Sequence, residues 1–140
     1  NINFGINIFI MNSCQIVLQG SGGTLGVNAN INHLSSKEPG GAPGIARVTS
    51  NSNYWLQADV VPYWTMSPTG GDTDTVFSTS FSGRAVNARG LTFAERPGTS
   101  RIRLRTGTSI QDITVHYDAT RTSGTFPAGN YRGVVVLRCE

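Results

Sequence analysis

The first ten residues read Asn1-Ile-Asn-Phe-Gly-Ile-Asn-Ile-Phe-Ile10 and carry the clearest structural signal in the chain. Every even position is apolar, whereas four of the five odd positions hold asparagine or glycine. Because successive side chains of a β-strand point to opposite faces, this alternation predicts a strand with one apolar face. Its apolar residues are Ile2, Phe4, Ile6, Ile8 and Ile10. Such a strand must be covered, either inside its own sheet or by insertion into another molecule.

Short alternating segments continue through the rest of the chain, separated by turns rich in glycine, proline, serine and asparagine. We predict strands over residues 14–18, 24–34, 45–49, 54–61, 75–81, 90–93, 101–105, 110–117 and 129–139. Residues 95–98 are predicted to form a turn, and residues 118–124 a polar loop. No segment shows the 3.6-residue period of a helix, so the pattern predicts an all-β sandwich or barrel.

The composition agrees with this prediction. The 140 residues suit one domain. Charged residues make up 14% of the chain, against about 25% in typical soluble proteins. Much of the polarity comes instead from Gly, Ser, Thr and Asn, which favour turns and strands over helices. This excludes a helix bundle, a coiled coil and a highly charged disordered tail.

The formal net charge is +3, and arginine supplies ten of the eleven cationic side chains. Arg101, Arg103 and Arg105 alternate along the chain and would share one face of a strand. That face is either a solvated outer surface or a patch for an anionic partner. The sequence contains no recognisable nucleic-acid-binding module, so we predict no nucleic-acid partner.

The two cysteines, Cys14 and Cys139, lie near the two ends of the chain and form no C-x-x-C motif. We predict a disulfide between the first and last strands of the domain, with a pair of free thiols in a reducing compartment as the alternative. A bridge closing so long a loop stabilises the fold by about 4–5 kcal/mol in the chain-entropy model. It would also indicate an oxidising compartment.

No motif for catalysis is visible. The sequence lacks a Gly-x-Ser-x-Gly nucleophile, a P-loop and a dinucleotide fingerprint. His33 and His116 show no metal-ligand spacing, and Asp72 and Asp74 lack the remainder of a calcium-binding loop. We therefore predict that the protein is not an enzyme and has neither a cofactor nor a metal site.

Two aromatic pairs are candidates for ligand binding. They are Tyr54-Trp55 and Tyr63-Trp64. Because neighbouring residues on a strand face opposite ways, one member of each pair should be in the core. The other could form a platform that stacks on sugar rings, or could simply pack at the rim of the sandwich.

The two ends of the chain together resemble a known family. The alternating first strand leads directly into Ser13-Cys14, and the chain closes on Pro127-Ala-Gly-Asn-Tyr131 followed by an apolar strand. With a body rich in Ser, Thr, Asn and Gly, this resembles a fimbrial (pilus) subunit of the bacterial chaperone–usher pathway. The cysteine near the C-terminus departs from many members, which carry both cysteines in the first half of the domain.

The resemblance implies an immunoglobulin-like β-sandwich that lacks one strand and is completed by a donor strand. Residues 1–12 would be the donor extension and residues 13–140 the pilin-like domain. The apolar face of the first strand, Ile2 to Ile10, would be the donor, and Gly5 would match the small residue that donor segments often carry. The acceptor groove would lie beside the last strand, at Tyr131, Val134, Val135, Val136 and Leu137.

The function implied by the resemblance is that of a structural subunit that polymerises by donor-strand exchange. Its partners would be neighbouring pilus subunits, a periplasmic chaperone and an outer-membrane usher during assembly, and a host glycan as a further candidate. The protein would be exported through the periplasm to the bacterial cell surface. A chain without residues 1–10 should fold but not assemble onward.

Two alternatives stay open at this stage. The protein could be a fimbrial adhesin or secreted carbohydrate-binding sandwich that uses the aromatic pairs. It could also be a small secreted β-sandwich in which residues 2–10 are simply the first strand of its own sheet.

Overall fold

A computed structural model describes residues 1–140, which form twelve β-strands and no helix. The first six strands are β1 (Ile2–Ile10), β2 (Cys14–Gln19), β3 (Gly23–Thr24), β4 (Gly26–Val27), β5 (His33–Ser35) and β6 (Gly44–Ser50). The last six are β7 (Trp55–Val60), β8 (Thr75–Ala85), β9 (Phe93–Pro97), β10 (Ile102–Arg103), β11 (Ser109–Arg121) and β12 (Tyr131–Cys139). The chain has no helix long and apolar enough to cross a membrane.

The strands form two packed sheets, which confirms the predicted all-β sandwich. The first sheet has the order β10-β7-β12-β1-β3. The second sheet is built around β11, which pairs with β8 along one edge and with β6 and β5 along the other. The outer strands of the second sheet are β2, β4 and β9.

The core lies between the sheets and follows the two-residue period of the strands. In β11, Ile113, Val115 and Tyr117 are fully buried, while the residues between them face outward. In β12, Val135 and Leu137 are buried in the same alternating way. Burial of these apolar side chains supplies most of the driving force for folding.

A disulfide joins Cys14 to Cys139 across 125 residues, as the sequence predicts. Both cysteines are buried. The bridge connects the start of β2, in the second sheet, to the end of β12, in the first sheet. It therefore ties the two layers together, and it indicates an oxidising compartment of the kind reached by export.

Residues 24–34 do not form the single strand that their alternation predicts. The chain reverses direction there, because the side-chain Oδ1 of Asn28 accepts hydrogen bonds from the backbone N–H groups of Asn32 and His33, each at 3.0 Å. Ile31 takes the left-handed conformation with φ 54°. A local asparagine turn thus overrides the apolar alternation and leaves β4 and β5 as an antiparallel pair.

Three other boundaries differ from the prediction. Residues 95–97 belong to β9 rather than to a turn, because Pro97 pairs with Ser80 at the sheet edge, where a missing N–H is tolerated. β11 continues to Arg121, so residues 118–121 are not a loop. In addition, only Ile102–Arg103 of the predicted strand 101–105 is regular.

Candidate functional site

The N-terminal strand β1 lies inside the sandwich formed by its own chain. It runs parallel to β12, in a register that extends from Ile2 opposite Tyr131 to Ile10 opposite Cys139. On its other edge, β3 pairs only with Asn3 and Phe4. In this single chain, residues 2–10 are therefore part of the sandwich and do not project from it.

The first half of β1 is anchored in the core. The ring of Phe4 stacks on the ring of Tyr117 with centroids 5.3 Å apart and planes 17° apart, and both residues are fully buried. Ile6 is also buried. Glycines leave room for both side chains: a Cβ on Gly23 would clash with the Phe4 ring, and one on Gly44 would lie 2.7 Å from Ile6 Cδ1.

The second half of β1 is not buried. Ile8 is 39% exposed and Ile10 is 44% exposed, and Phe9 and Met11 are exposed as well. Ile8 and Ile10 thus share the phase of Phe4 and Ile6 along the strand but not their burial. The reason is that pairing on the outer edge ends at Phe4, so no strand covers the edge from Gly5 onward.

The strand beside β1 is β12, which holds the residues expected to line an acceptor groove. Tyr131, Val135 and Leu137 point inward and are buried, whereas Val134 and Val136 point outward and are half-buried. Gly133 lies directly over the Tyr117 hydroxyl, and a Cβ at this position would clash with it. Side chains of β1, β11 and β12 therefore meet at one place in the core.

Aromatic rings form the floor of this region. Trp64 packs against Tyr131, Phe77 and Tyr117, with ring centroids 5.0, 5.1 and 5.8 Å away. Its Nε1 donates a hydrogen bond to the Gly71 carbonyl at 3.0 Å. Trp64 is thus the core member of the Tyr63-Trp64 pair, and it does not form a surface platform.

The hydroxyl of Tyr117 is buried beneath β12 and has no hydrogen-bond partner. Burial raises the pKa of Tyr117, and the nearby Asp72 carboxylate raises it further. A buried hydroxyl without a partner costs free energy, because the group has given up its hydrogen bonds to water. Burial also raises the pKa of Tyr131.

The other three candidate aromatics lie at or near the surface. Tyr63 is 56% exposed. Tyr54 is half-buried against the core, and its hydroxyl donates to the Asn12 carbonyl. Trp55 is half-exposed on β7, where the guanidinium carbons of Arg101 and Arg103 lie 4.4 and 4.7 Å from its ring centroid.

The histidines form polar contacts that their sequence spacing does not reveal. His33 Nδ1 lies 3.0 Å from Glu38 Oε1, and its Nε2 lies 2.8 Å from Asp118 Oδ1. His116 Nδ1 lies 2.8 Å from Ser36 Oγ, and burial lowers the pKa of His116. No group of three or more His, Cys, Asp or Glu side chains is arranged to hold a metal ion.

The comparison with protein-family models found no match to this chain, and the comparison with curated proteins found none either.

Proposed function

We propose that this protein is a structural subunit of a bacterial surface pilus that polymerises by exchanging its N-terminal strand. The observation that carries the proposal is the position of β1. This strand supplies Phe4 and Ile6 to the core and has a pairing partner on only one edge beyond Phe4. Its departure would open a groove beside β12 that an identical strand fits.

The short covalent connection from β1 to the disulfide-bonded Cys14 restricts the direction in which β1 can pair with β12. This restriction would favour a strand from a neighbouring molecule over the chain's own strand. The disulfide holds Cys14 beside Cys139, so Ile10 must lie near the end of β12 and β1 must run parallel to it. A neighbour's strand has no such tether and can enter antiparallel. Because antiparallel pairing is slightly more stable per residue, exchange between molecules gains free energy that the tethered arrangement cannot.

A short turn after β1 supplies the hinge for this movement. The Met11 N–H donates to the Cys139 carbonyl at 3.0 Å, and the Cys14 N–H donates to the Met11 carbonyl at 3.2 Å. Ser13 between them has φ 72°, an uncommon conformation for a non-glycine residue. β1 can thus rotate outward about residues 11–13 while the disulfide keeps β2 and β12 in place.

In this proposal the sandwich is immunoglobulin-like, and β1 occupies the position of a missing strand until exchange. A subunit whose groove is open exposes core side chains and unpaired backbone groups, so it needs protection during export. A periplasmic chaperone would give that protection, and an outer-membrane usher would release the subunit to its neighbour at the cell surface.

Locking β1 to β12 tests the proposal. Asn3 and Arg132 are paired residues on adjacent strands, and Arg132 Nη1 donates to Asn3 Oδ1 at 2.8 Å. Adjacent strands lie about 4.8 Å apart, within the range of about 4.4–6.8 Å between the Cα atoms of a disulfide. The double variant Asn3→Cys/Arg132→Cys should therefore form a second disulfide that holds β1 in its own chain. We call the disulfide-bonded form of this variant the oxidised lock.

The wild-type protein is warmed to just below its unfolding midpoint, cooled at high concentration and analysed by light scattering and native mass spectrometry. We expect the wild type and the matched variant Asn3→Ser/Arg132→Ser to form polymers. The oxidised lock should remain monomeric and polymerise after mild reduction, which spares the buried native disulfide. A wild type that stays monomeric, or a lock that polymerises while oxidised, would instead favour a secreted sandwich whose first strand stays in place.

The structure also changes what we expect of a truncated chain. Removing residues 1–10 takes Phe4 and Ile6 out of the core, so residues 11–140 should fold only with a donor supplied. A synthetic peptide of residues 1–12, added during refolding, should restore cooperative unfolding. The same peptide carrying Phe4→Asp and Ile6→Asp should not, and equal rescue by both peptides would contradict a specific groove.

A further inference from the structure

The outer face of the first sheet carries an unusual cluster, which we call the Trp55 patch and define as Trp55, Arg101 and Arg103. β10 pairs with β7 so that Arg103 lies opposite Trp55. The guanidinium carbons of Arg101 and Arg103 lie 4.4 and 4.7 Å from the centroid of the indole. Because Leu56 beside it is fully buried, Trp55 points away from the core.

The two arginines of the patch form no ion pair, although the backbone of Glu140 is hydrogen-bonded to that of Trp55 across the sheet. The ion pairs of arginine in this protein are Arg47 with Asp112 at 2.9 Å and Arg138 with Asp59 at 2.7 Å. Neither Arg101 nor Arg103 has a carboxylate within ionic contact, and neither side chain donates a hydrogen bond inside the chain. Each guanidinium therefore keeps its five N–H donors free.

The nearest carboxylate on the same strand does not serve the patch. Asp59 of β7 accepts a hydrogen bond from Arg138 Nε at 2.7 Å and another from the Gln57 amide at 3.0 Å. Two like charges gathered on one indole repel each other, and the ring offsets only part of that cost by cation–π attraction. An external anion bound beside the guanidinium groups would relieve the repulsion and accept hydrogen bonds from the free donors.

We propose that the Trp55 patch binds an acidic polysaccharide through sulfate or carboxylate groups. Guanidinium groups bind such oxyanions through paired hydrogen bonds, and the indole holds both arginines in place. The disulfide indicates an exported protein, and an exported protein meets acidic glycans outside the cell. Nucleic acid is less favoured as the partner, because the sequence contains no recognisable nucleic-acid-binding module.

This inference does not depend on polymerisation. The patch lies on β7 and β10, and β12 separates it from β1 in the order of the sheet. A monomer would bind a single acidic group weakly, and any polymer of the chain would repeat the site and raise the avidity. The binding experiment is therefore done with both the wild type and the oxidised lock Asn3→Cys/Arg132→Cys. Binding by the monomeric lock tests the Trp55 patch alone, whereas polymerisation of the wild type tests strand exchange.

Binding is measured by surface plasmon resonance on immobilised heparin and polygalacturonate, with neutral dextran as a blank. The test variant is Arg101→Gln/Arg103→Gln. The control variant is Arg47→Gln/Arg84→Gln, which removes the same charge from the second sheet, where these residues flank Asp112. Each lost charge-assisted contact is worth on the order of tenfold in affinity, so the test variant should bind at least tenfold more weakly.

We expect the control variant to bind acidic glycan within about twofold of the wild type, because its arginines lie outside the patch. Trp55→Leu should weaken binding several-fold, since the two guanidinium groups lose the ring that holds them together. Absence of binding to either acidic glycan would overturn the proposal. Equal losses in the test and control variants would also overturn it, because they would show attraction by net charge alone.

Two further probes distinguish the glycan from other polyanions. Single-stranded DNA and phosphatidylglycerol vesicles are offered to the same proteins at the same salt concentration. Binding to either probe at least as tight as to the acidic glycans would overturn the assignment to a polysaccharide. Far-ultraviolet circular dichroism and thermal unfolding of Arg101→Gln/Arg103→Gln should match the wild type, because neither arginine makes an ion pair or a side-chain hydrogen bond within the chain.

Discussion

The two halves of β1 share one sequence pattern and have different environments. In the first half, Phe4 stacks on Tyr117 and β3 covers the outer edge of the strand. In the second half, Ile8 and Ile10 have the same apolar character and phase but remain partly exposed, and the outer edge is unpaired. Alternation thus determines which face of the sheet a side chain is on, whereas its burial depends on whether neighbouring strands pack against that part of β1. The first half is the anchor of the strand, and the second half is exposed and unpaired along its outer edge.

The largest effect that separates the two halves should come from truncating their phenylalanines. Phe4→Ala leaves a cavity against Tyr117 and should lower the free energy of unfolding by about 3–5 kcal/mol. Phe9→Ala removes the same group from an exposed position and should cost about 0.5 kcal/mol or less. Urea unfolding measures both values. Equal losses would show that the two halves are equally anchored.

Loss of the disulfide should have the next largest effect, and it should act most on the second half. The variant Cys14→Ala/Cys139→Ala should lower the free energy of unfolding by about 2–5 kcal/mol. Because the bridge holds the end of β12 beside residue 11, hydrogen exchange at Ile8 should accelerate more than exchange at Phe4. Uniform acceleration along β1 would mean that the disulfide does not position its second half.

A methyl group added beside the anchor should have a smaller effect. In Gly23→Ala the new Cβ meets the Phe4 ring, and overpacking of this kind costs about 1–3 kcal/mol. In the matched variant Gly5→Ala, the new Cβ meets only the end of the Arg132 side chain, which can move aside. Thermal unfolding should therefore show a clear loss for Gly23→Ala and almost none for Gly5→Ala. The reverse order would place the tight packing on the outer face of β1.

The smallest effect on stability should be the most informative about function. Ile8→Ser changes an exposed side chain, so the free energy of unfolding of the monomer should change by about 0.5 kcal/mol or less. If Ile8 enters a neighbour's groove, the same change should slow polymer formation severalfold. Light scattering after warming checks this result, with Asn7→Ser as the control on the polar face. Unchanged assembly of Ile8→Ser would mean that the second half of β1 is not part of the exchange.

Much of the fold was predictable because its signals are local. The alternation in residues 1–10 and at the end of the chain indicates strands, and the turn residues between segments indicate a sandwich. The disulfide was predictable from two cysteines at the chain ends, and the structure forms it. The exceptions are residues 24–34 and 95–97, where a side-chain turn at Asn28 and strand pairing at Pro97 override local preference.

The candidate sites were less predictable because their contacts join distant positions. Glu38 and Asp118 meet at His33 although Asp118 lies 85 residues away, and Trp55 meets Arg101 and Arg103 only because β10 pairs with β7. The spacing of the arginines shows that they can share a face. It does not show which aromatic ring lies beneath them, since that depends on the pairing of strands.

The sequence by itself determined that this is a β-rich domain with an apolar first strand, a buried last strand and a disulfide between its ends. Those features follow from side-chain alternation, turn residues and cysteine position, which act over a few residues or through a covalent bond. Only the tertiary structure decided that β1 runs parallel to β12 in its own chain, that Phe4 is anchored while Ile8 is exposed, and that Trp64 is buried while Trp55 faces two arginines. Strand order, strand register and the burial of individual side chains are long-range properties, because they depend on which distant segments pack together in the folded chain.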